Sequence, residues 1–420
     1  MADVLIAGGG VAGSALAILL GRRGFSVELL ELGHFPREKP CGEGLMPAGV
    51  GVLKRLGLAE TVGGTPFNGV RYHFGKHMAE GRFSDASGMP ICGRGQRRKH
   101  LDRVLFEAAA ATPGVRAHTG ARVEGPLCEN GRVTGALVEG EPLRARLVVA
   151  ADGVNSRIRH GLGLDAESSR KRFGIRVHYR LAKGQEQPPW VDVVLASGHE
   201  LYITPLPDHE VLVAVLTDIR HGGEPVHETF QRWIFAQPLL ASRLEGAEQI
   251  SRPMCASWRA RNARLGVAPG AILLGDAMGS IDPISGGGMT HALVTAELLA
   301  AYIQEGLEKS DEWMWKFERE RRELLGDFKR LTRILLWLAD HPWLAVRILS
   351  LVRNSPFVLS HFVGVAGGTR KLFMGGRQPK QAAAPPSRNY WERWNRGACV
   401  TCRNSEIENA GKIIGHTRAG

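Results

Sequence analysis

Four short stretches of this 420-residue chain set glycines and carboxylates where a dinucleotide could be gripped. The first is Gly8-Gly9-Gly10-Val11-Ala12-Gly13. In such a GxGxxG turn Gly8 permits the tight bend, Gly10 lets the backbone approach a pyrophosphate, and Gly13 lets helix and strand pack closely. Ala12 lies at the start of the helix, whose N-terminal partial positive charge faces the phosphates. Glu31 follows 18 residues after Gly13, closing the next apolar run, where a carboxylate can accept hydrogen bonds from both ribose hydroxyls. Glu28 competes for that role but falls inside the run. The second stretch, Arg98-Lys99-His100-Leu101-Asp102, opens a helix, so Arg98 could reach phosphate or polyol oxygens; its bland reading is a solvated basic run. The third, Asp152-Gly153, is taken alone a turn after a strand. The fourth runs from Gly275-Asp276 through Pro283 to Gly286-Gly287-Gly288. Asp276 at a strand end can bind a polyol hydroxyl, and the glycines can offer N–H groups to a carbonyl that gains negative charge.

Other residues are candidates with two readings each. Glu43, in a loop rich in Pro, Gly and charge, could be a pocket acid or base, or a structural carboxylate. Cys41 beside it reads as a small buried thiol before it reads as a nucleophile. Tyr202 could point into a pocket from a strand or pack within a sheet, and His178 and His291 read as core or surface residues. Cys399 and Cys402 form one CxxC with no second pair, so no metal site is expected.

The elements that must position these groups follow from periodicity. Ala2–Ala7 and Phe25–Leu32 are apolar runs suited to buried parallel strands, and Val11–Arg23 between them has helical spacing ending at Gly24. Helices are predicted at Gly49–Leu56, Arg98–Thr112 and Thr290–Gln304, a hairpin-like pair at Arg132–Val138 and Leu143–Ala150, and a buried strand at Ala271–Leu274. Between them the signal turns to β, with strands at Phe173–Tyr179, Val191–Leu195, Leu201–Leu206 and Val211–Leu216. The expected fold class is α/β: a Rossmann-type cofactor domain interrupted by a β-sheet substrate domain, with a C-terminal helical region. The expected boundaries are 1–70 with 95–170 and 264–310 for the first, 71–94 with 171–263 for the second, 311–375 for the helices and 376–420 for a flexible basic tail.

Composition narrows the class further. Hydrophobic residues make up 44% and charged residues 23%, which excludes disordered and fibrous chains. The net charge of +12 is uneven: residues 1–312 hold 35 basic and 34 acidic side chains, residues 313–420 hold 19 and 8. The basic quarter also holds Trp313, Trp315, Trp337, Trp343, Trp391 and Trp394. Arg with Trp suits an anionic membrane surface better than nucleic acid here, because the intervening residues are Leu, Ile and Val in helical spacing. The stretch Leu331–Val365 is interrupted by Arg333, Asp340, His341, Pro342 and Arg347, so it reads as two amphipathic helices broken at Pro342 rather than a membrane span. They either pack on the enzyme body or form a lip on a membrane. Six scattered cysteines and a Rossmann strand starting at Ala2 lead to the expectation of a cytoplasmic chain, peripheral on the inner face of the membrane.

With these motifs in hand, the chain resembles the p-hydroxybenzoate-hydroxylase-type flavoproteins, which include group A aromatic monooxygenases, geranylgeranyl reductases and flavin-dependent halogenases. They share the GxGxxG start, the Asp-Gly motif and the Gly-Asp motif in this order, and the resemblance covers roughly residues 2–300. It implies that Gly8, Gly10, Gly13 and Glu31 hold the ADP half of FAD and that Arg98 and Asp276 touch its middle. It places Asp152 and Gly153 where the family couples FAD and NAD(P)H, and Pro283 with Gly286–Gly288 along the isoalloxazine ring. Departures are informative. Gly275-Asp276-Ala277-Met278-Gly279 and Lys39-Pro40-Cys41-Gly42-Glu43-Gly44 look like the prenyl-reductase and halogenase branches, yet no Trp-x-Trp-x-Ile-Pro motif occurs. The resemblance therefore implies either an NAD(P)H-driven monooxygenase, using molecular oxygen on an aromatic or quinone-like lipid, or a prenyl-lipid reductase. A flavin-binding membrane protein without turnover is the reading from a third class.

Overall fold

A computed structural model of the chain describes residues 1–372 apart from positions 76, 167–170, 197, 219–225, 260–261 and 353–354. Ala2–Ala7 forms a strand buried along nearly its whole length, as a parallel strand covered on both faces must be. It pairs in parallel with Val27–Glu31 on one side and Glu141–Ala150 on the other. Val115–Thr119 and Ala271–Leu273 extend this sheet outward, again in parallel. The helix Val11–Gly21 connects the first two strands and buries all but one of its residues. It ends short of Gly24, whose φ of +85° turns the chain into the second strand. The predicted hairpin of Arg132–Val138 with Glu141–Ala150 is present.

The second sheet is antiparallel where the sequence alternates. Lys171–Arg180, Glu210–Thr217, His199–Leu206 and Val191–Ala196 pair in that order. Two edges were not visible in the sequence. Gly69–Phe74 lies parallel to Val191–Ala196 and carries His77–Arg82 beyond it, and Met254–Arg259 pairs with Lys171–Arg180. Strand alternation then assigns the faces. Leu201 and Ile203 pack with Phe230 and Ile234 of the helix Val226–Phe235. Glu200 and Tyr202 therefore turn to the opposite face, where Tyr202 meets Tyr72, Phe74 and Leu195.

The C-terminal region divides between core and surface. The helix Glu312–Leu324 buries Trp313, Met314 and Phe317 in the Rossmann core. The chain then breaks at Pro342 as expected, but it breaks again before Pro356, so three helices stand where two were expected: Gly326–Ala339, Pro342–Val352 and Pro356–Ala366. Phe328 and Leu331 are buried, and Leu359 and Val363 pack against the antiparallel sheet, while Trp337, Trp343, Leu351 and Phe357 stay exposed. These helices thus pack on the body through one face and leave apolar side chains exposed on the other. The expected tail, with Trp391, Trp394, Cys399 and Cys402, lies outside the described residues.

Candidate functional site

The carboxyl ends of the parallel strands bring the four motifs together, as is usual where open α/β sheets bind ligands. Gly8 has φ +106°, and a Cβ there would lie 2.4 Å from the Ala151 carbonyl oxygen, so the glycine turn touches the Asp152 loop. At Gly13 a Cβ would fall 1.9 Å from the Gly8 carbonyl oxygen; only glycine lets the helix sit this close to the strand. At Gly275 it would come within 3.2 Å of the Ala12 Cβ, which sets the Asp276 turn against the helix start. Gly10 differs. Its Cβ would approach only Arg37 Nη2, at 3.6 Å, and the helix start behind it has no side-chain cap. Its first amides are free to meet an anion.

Glu31 is buried beside this turn and accepts from Gly9 N at 2.9 Å and Gly33 N at 2.9 Å. A carboxylate has about four acceptor positions, so these bonds fix its orientation and leave capacity for ribose hydroxyls. Arg37, which sequence reasoning passed over, stands 3.5 Å from both Glu31 and Asp102. With its proximity to Gly10 it supplies the positive charge expected near a pyrophosphate. Only its place in a charged loop after the second strand could have flagged it.

Arg98 occupies a different setting from the one expected. It is buried, and its Nε and Nη2 are engaged at 2.8 Å each by Asp102, one turn along its own helix Arg98–Ala110. Burial works against its charge, but the Asp102 carboxylate more than compensates and holds the guanidinium protonated. Cys41 adds to this as a further side-chain partner, and Nη1 lies outside the Asp102 fork. Ser156 caps the helix Arg157–Gly161, and Asp152 adds a second acceptor at its start, taking the Arg157 N–H at 2.8 Å. Its Oδ1 is buried without a partner, and burial raises its carboxyl above the usual range. Gly153 beside it has φ +82°, which a turn at that place requires. Asp276 is partly exposed in a 3-10 turn near Lys39. Burial and the neighbouring Arg98 push the Lys39 ammonium down, while Asp276 and Asp102 oppose the shift.

Pro283 opens a second 3-10 turn, pinned by Asp282, whose carboxylate accepts from Ile284 N at 3.1 Å. Gly286 follows at φ +67°, and Gly287 and Gly288 begin the helix Gly288–Gly306. A Cβ on Gly288 would meet nothing within 4 Å, so this helix start opens to a ligand. The loop is braced from behind by Gly326–Ala339: Thr332 Oγ1 donates to Ser285 Oγ at 3.0 Å, and the Phe328 ring meets His291 edge-on at 3.8 Å. Burial, with Lys329 adding to it, pushes the His291 imidazole down to about 3, and its Nδ1 has no partner. An unfolded histidine titrates near about 6.5. Between these values the unfolded chain binds the extra proton, so stability falls as pH drops through 6.5 toward 3. The urea midpoint of the full chain is expected to fall more steeply between pH 7 and 5 than that of His291→Gln; parallel curves would contradict this assignment.

Glu43 does not face a substrate. It is fully buried, at φ +56°. Its Oε1 accepts from Arg98 N at 3.0 Å, its Oε2 lies 2.8 Å from His178 Nε2, and Arg176 stands 4.0 Å away. His178 in turn is 3.2 Å from Ser251 Oγ. The residue ties the antiparallel sheet to the start of the Arg98 helix, and the expectation of a pocket acid there gives way to a structural one. Its backbone N–H donates to Cys41 Sγ at 3.3 Å.

Tyr202 packs within the sheet and does not itself line the cleft, but it bonds to a residue that does. Its hydroxyl donates to Glu200 Oε2 at 3.4 Å, and burial with the nearby Glu200 carboxylate pushes it well up. Arg172 donates to the same oxygen at 2.6 Å, to Asp218 at 3.1 Å, and stands 3.6 Å from Asp282, next to Pro283. Arg172, Glu200, Leu195 and Phe74 line one wall of a cleft whose other wall is Leu338, Ala339 and Ala345. A larger cavity of about 380 Å³ between Arg132, Arg146 and Trp313 borders Met1 and Ala145. It lies at the amino ends of the parallel strands, away from every motif described above. Among the described residues no His, Cys, Asp and Glu cluster could hold a metal ion, and no helix is long and apolar enough to cross a membrane.

The residues fit a dinucleotide: a glycine cradle that side chains would fill, a ribose-side carboxylate, an uncapped helix start, and a second helix start led by glycines. Comparisons with known proteins agree. The sequence pattern of the FAD binding domain matches residues 1–327. Menaquinone reductase of Mycolicibacterium smegmatis is 27% identical over 329 residues, covering 73% of this chain and 77% of that protein. Squalene monooxygenase of Mus musculus is 31% identical over 326 residues, covering 72% of this chain and 55% of that protein. A flavoprotein/dehydrogenase from Cytophaga hutchinsonii shares the fold at a TM-score of 0.77 and 23% identity, covering 87% of this chain and 92% of the other. This chain belongs to the FAD binding domain family and is a FAD-dependent oxidoreductase.

Proposed function

We propose that the chain is an NAD(P)H-driven monooxygenase that hydroxylates an aromatic or quinone-like, lipophilic substrate. The observation that carries this reading is the mixed lining of the cleft. Glu200 and Arg172 form a polar wall, with Tyr202 bonded to Glu200 from behind it, and Leu338 and Ala345 face it. A hydroxylated ring can hydrogen-bond the Glu200 carboxylate, which a pure hydrocarbon cannot. A hydroxylated ring on an alkyl tail satisfies both walls. FAD, when bound, supplies the redox chemistry. Gly8–Gly13, Glu31 and Arg37 would hold its ADP half, Asp276 its middle, and Pro283 with Gly286–Gly288 its ring. The chain's own contribution is to orient the substrate and to keep water out.

The apolar helix face beside the cleft supports delivery from a membrane surface. Trp337 and Trp343 are 51% and 62% exposed, and the C-terminal quarter holds most of the chain's net positive charge. Full-length protein is expected to pellet with vesicles containing anionic lipid, and Trp337→Glu/Trp343→Glu to stay largely in the supernatant at equal flavin content. Equal pelleting of the two would remove the membrane role.

A second reading, reduction of a prenyl-lipid double bond, is favoured by how far the match extends: it covers 77% of menaquinone reductase but 55% of squalene monooxygenase. The two separate under argon. The FAD-loaded enzyme with NAD(P)H and an alkylresorcinol is expected to give a product one oxygen heavier in air and none under argon. A product two hydrogens heavier from a polyprenyl lipid under argon would establish the reductase instead.

A further inference from the structure

We propose that Glu200 is the base that takes the proton from the substrate's hydroxyl in the cleft, an assignment that rests on the hydroxylase reading above. Alternation in the strand His199–Leu206 places Glu200 on the same face as Tyr202, away from the helix-covered core. The carboxyl is buried yet lines the cleft. Among the described residues, its two hydrogen bonds fall on Oε2, from Arg172 at 2.6 Å and from Tyr202 at 3.4 Å. Neither uses Oε1, so a hydroxyl entering the cleft meets that oxygen with the carboxyl already oriented. Arg172 also stands 3.6 Å from Asp282, one residue before Pro283, so the same guanidinium links this wall to the loop proposed for the flavin ring.

The charged and titratable groups around Glu200 are Arg172, Tyr202 and His199 on the sheet, Asp218 after the strand Glu210–Thr217, Asp282 on the loop, and Asp340 at the end of the helix opposite. Burial raises the Glu200 carboxyl above the usual range, Arg172 opposes this, and Asp282 and Asp218 add to it. A carboxylate made more basic is a better partner for a phenol, because proton transfer is most efficient between groups of similar acidity. In the transfer the substrate O–H bond breaks, its electron pair stays on the phenolic oxygen, and the proton joins Glu200. The ring becomes more electron-rich with no other reactant consumed, and the proton leaves again when product is released.

The test uses the FAD-loaded full chain and an alkyl-substituted nitrophenol, whose ionised form has its own absorbance. Difference spectra are expected to show the bound phenol ionised at a pH where it is neutral in solution. Glu200→Gln should bind it in the neutral form, with hydroxylation of an alkylresorcinol lowered by about 100-fold or more and flavin reduction by NAD(P)H kept. Glu200→Asp should restore part of the ionised signal, which a purely structural loss would not. Persistent ionisation of the bound phenol in Glu200→Gln would overturn the assignment while leaving the hydroxylase intact. If wild type neither binds the phenol nor gives an oxygenated product, the functional reading falls and takes the assignment with it.

Discussion

Gly13→Ala is expected to purify without flavin and with a lowered thermal transition, while Gly10→Ala keeps the fold and loses only the flavin. The two glycines lie in one motif, but their surroundings differ. A Cβ at position 13 would sit 1.9 Å from the Gly8 carbonyl oxygen and 3.2 Å from Ile6 Cγ2. Relief means sliding the helix Val11–Gly21 off the strand, against a core in which both are buried. Forced overpacking of this kind costs about 1–3 kcal/mol or more. It also moves the turn that must approach a pyrophosphate. At position 10 the backbone is extended, with φ −76° and ψ −169°, which an alanine adopts without strain. The added methyl would meet only Arg37 Nη2, in the space a phosphate would use. Flavin content per chain and the unfolding temperature, measured together, check both. Gly10→Ala binding FAD as wild type does would contradict the placement of the phosphates.

The second large effect is at Glu43. Glu43→Ala leaves the amide of Arg98 and the His178 ring without their common partner in a buried setting, and removes a carboxylate 4.0 Å from the Arg176 guanidinium. Breaking a buried pair by removing one partner typically costs about 3–5 kcal/mol. Glu43→Gln can still accept at one oxygen and should lose clearly less. Denaturant unfolding of the full chain is expected to show that order. A loss below about 1 kcal/mol for the alanine variant would mean that the tie between the two sheets is carried elsewhere. Because Glu43 touches no open cleft, the stability loss should come with little change in turnover of the molecules that remain folded.

Glu43 also marks where sequence reading runs out. Its loop position made a pocket acid as plausible as a structural one, since burial by His178, 135 residues away, leaves no local trace. Arg98 misled for a similar reason: a helix-opening arginine is also an i,i+4 partner for Asp102, and the second role takes most of its fork. By contrast the Rossmann unit was legible almost to the residue, because each glycine answers a local steric demand and the strands are uniformly apolar. The strand Gly69–Phe74 was not, because Arg71, Tyr72 and His73 break the alternation, and its partner Val191–Ala196 lies far along the chain. Glu200 could not be singled out without knowing which face of its strand the helix Val226–Phe235 covers. The helix Glu312–Leu324 falls in the region 311–375 expected as separate C-terminal helices, yet Trp313, Met314 and Phe317 share one face and close the Rossmann core.

The central claim is that one cleft, walled by the antiparallel sheet and the C-terminal helices, brings an apolar ring-bearing substrate to the flavin. A photoactivatable diazirine on the tail of an alkylresorcinol, irradiated with the FAD-loaded enzyme and mapped by peptide mass, tests it directly. The predicted label falls on the peptides carrying Phe74, Leu195 and Leu338–Ala345, and is competed by unmodified alkylresorcinol. Competed label at Arg132, Arg146 and Trp313 instead would contradict it.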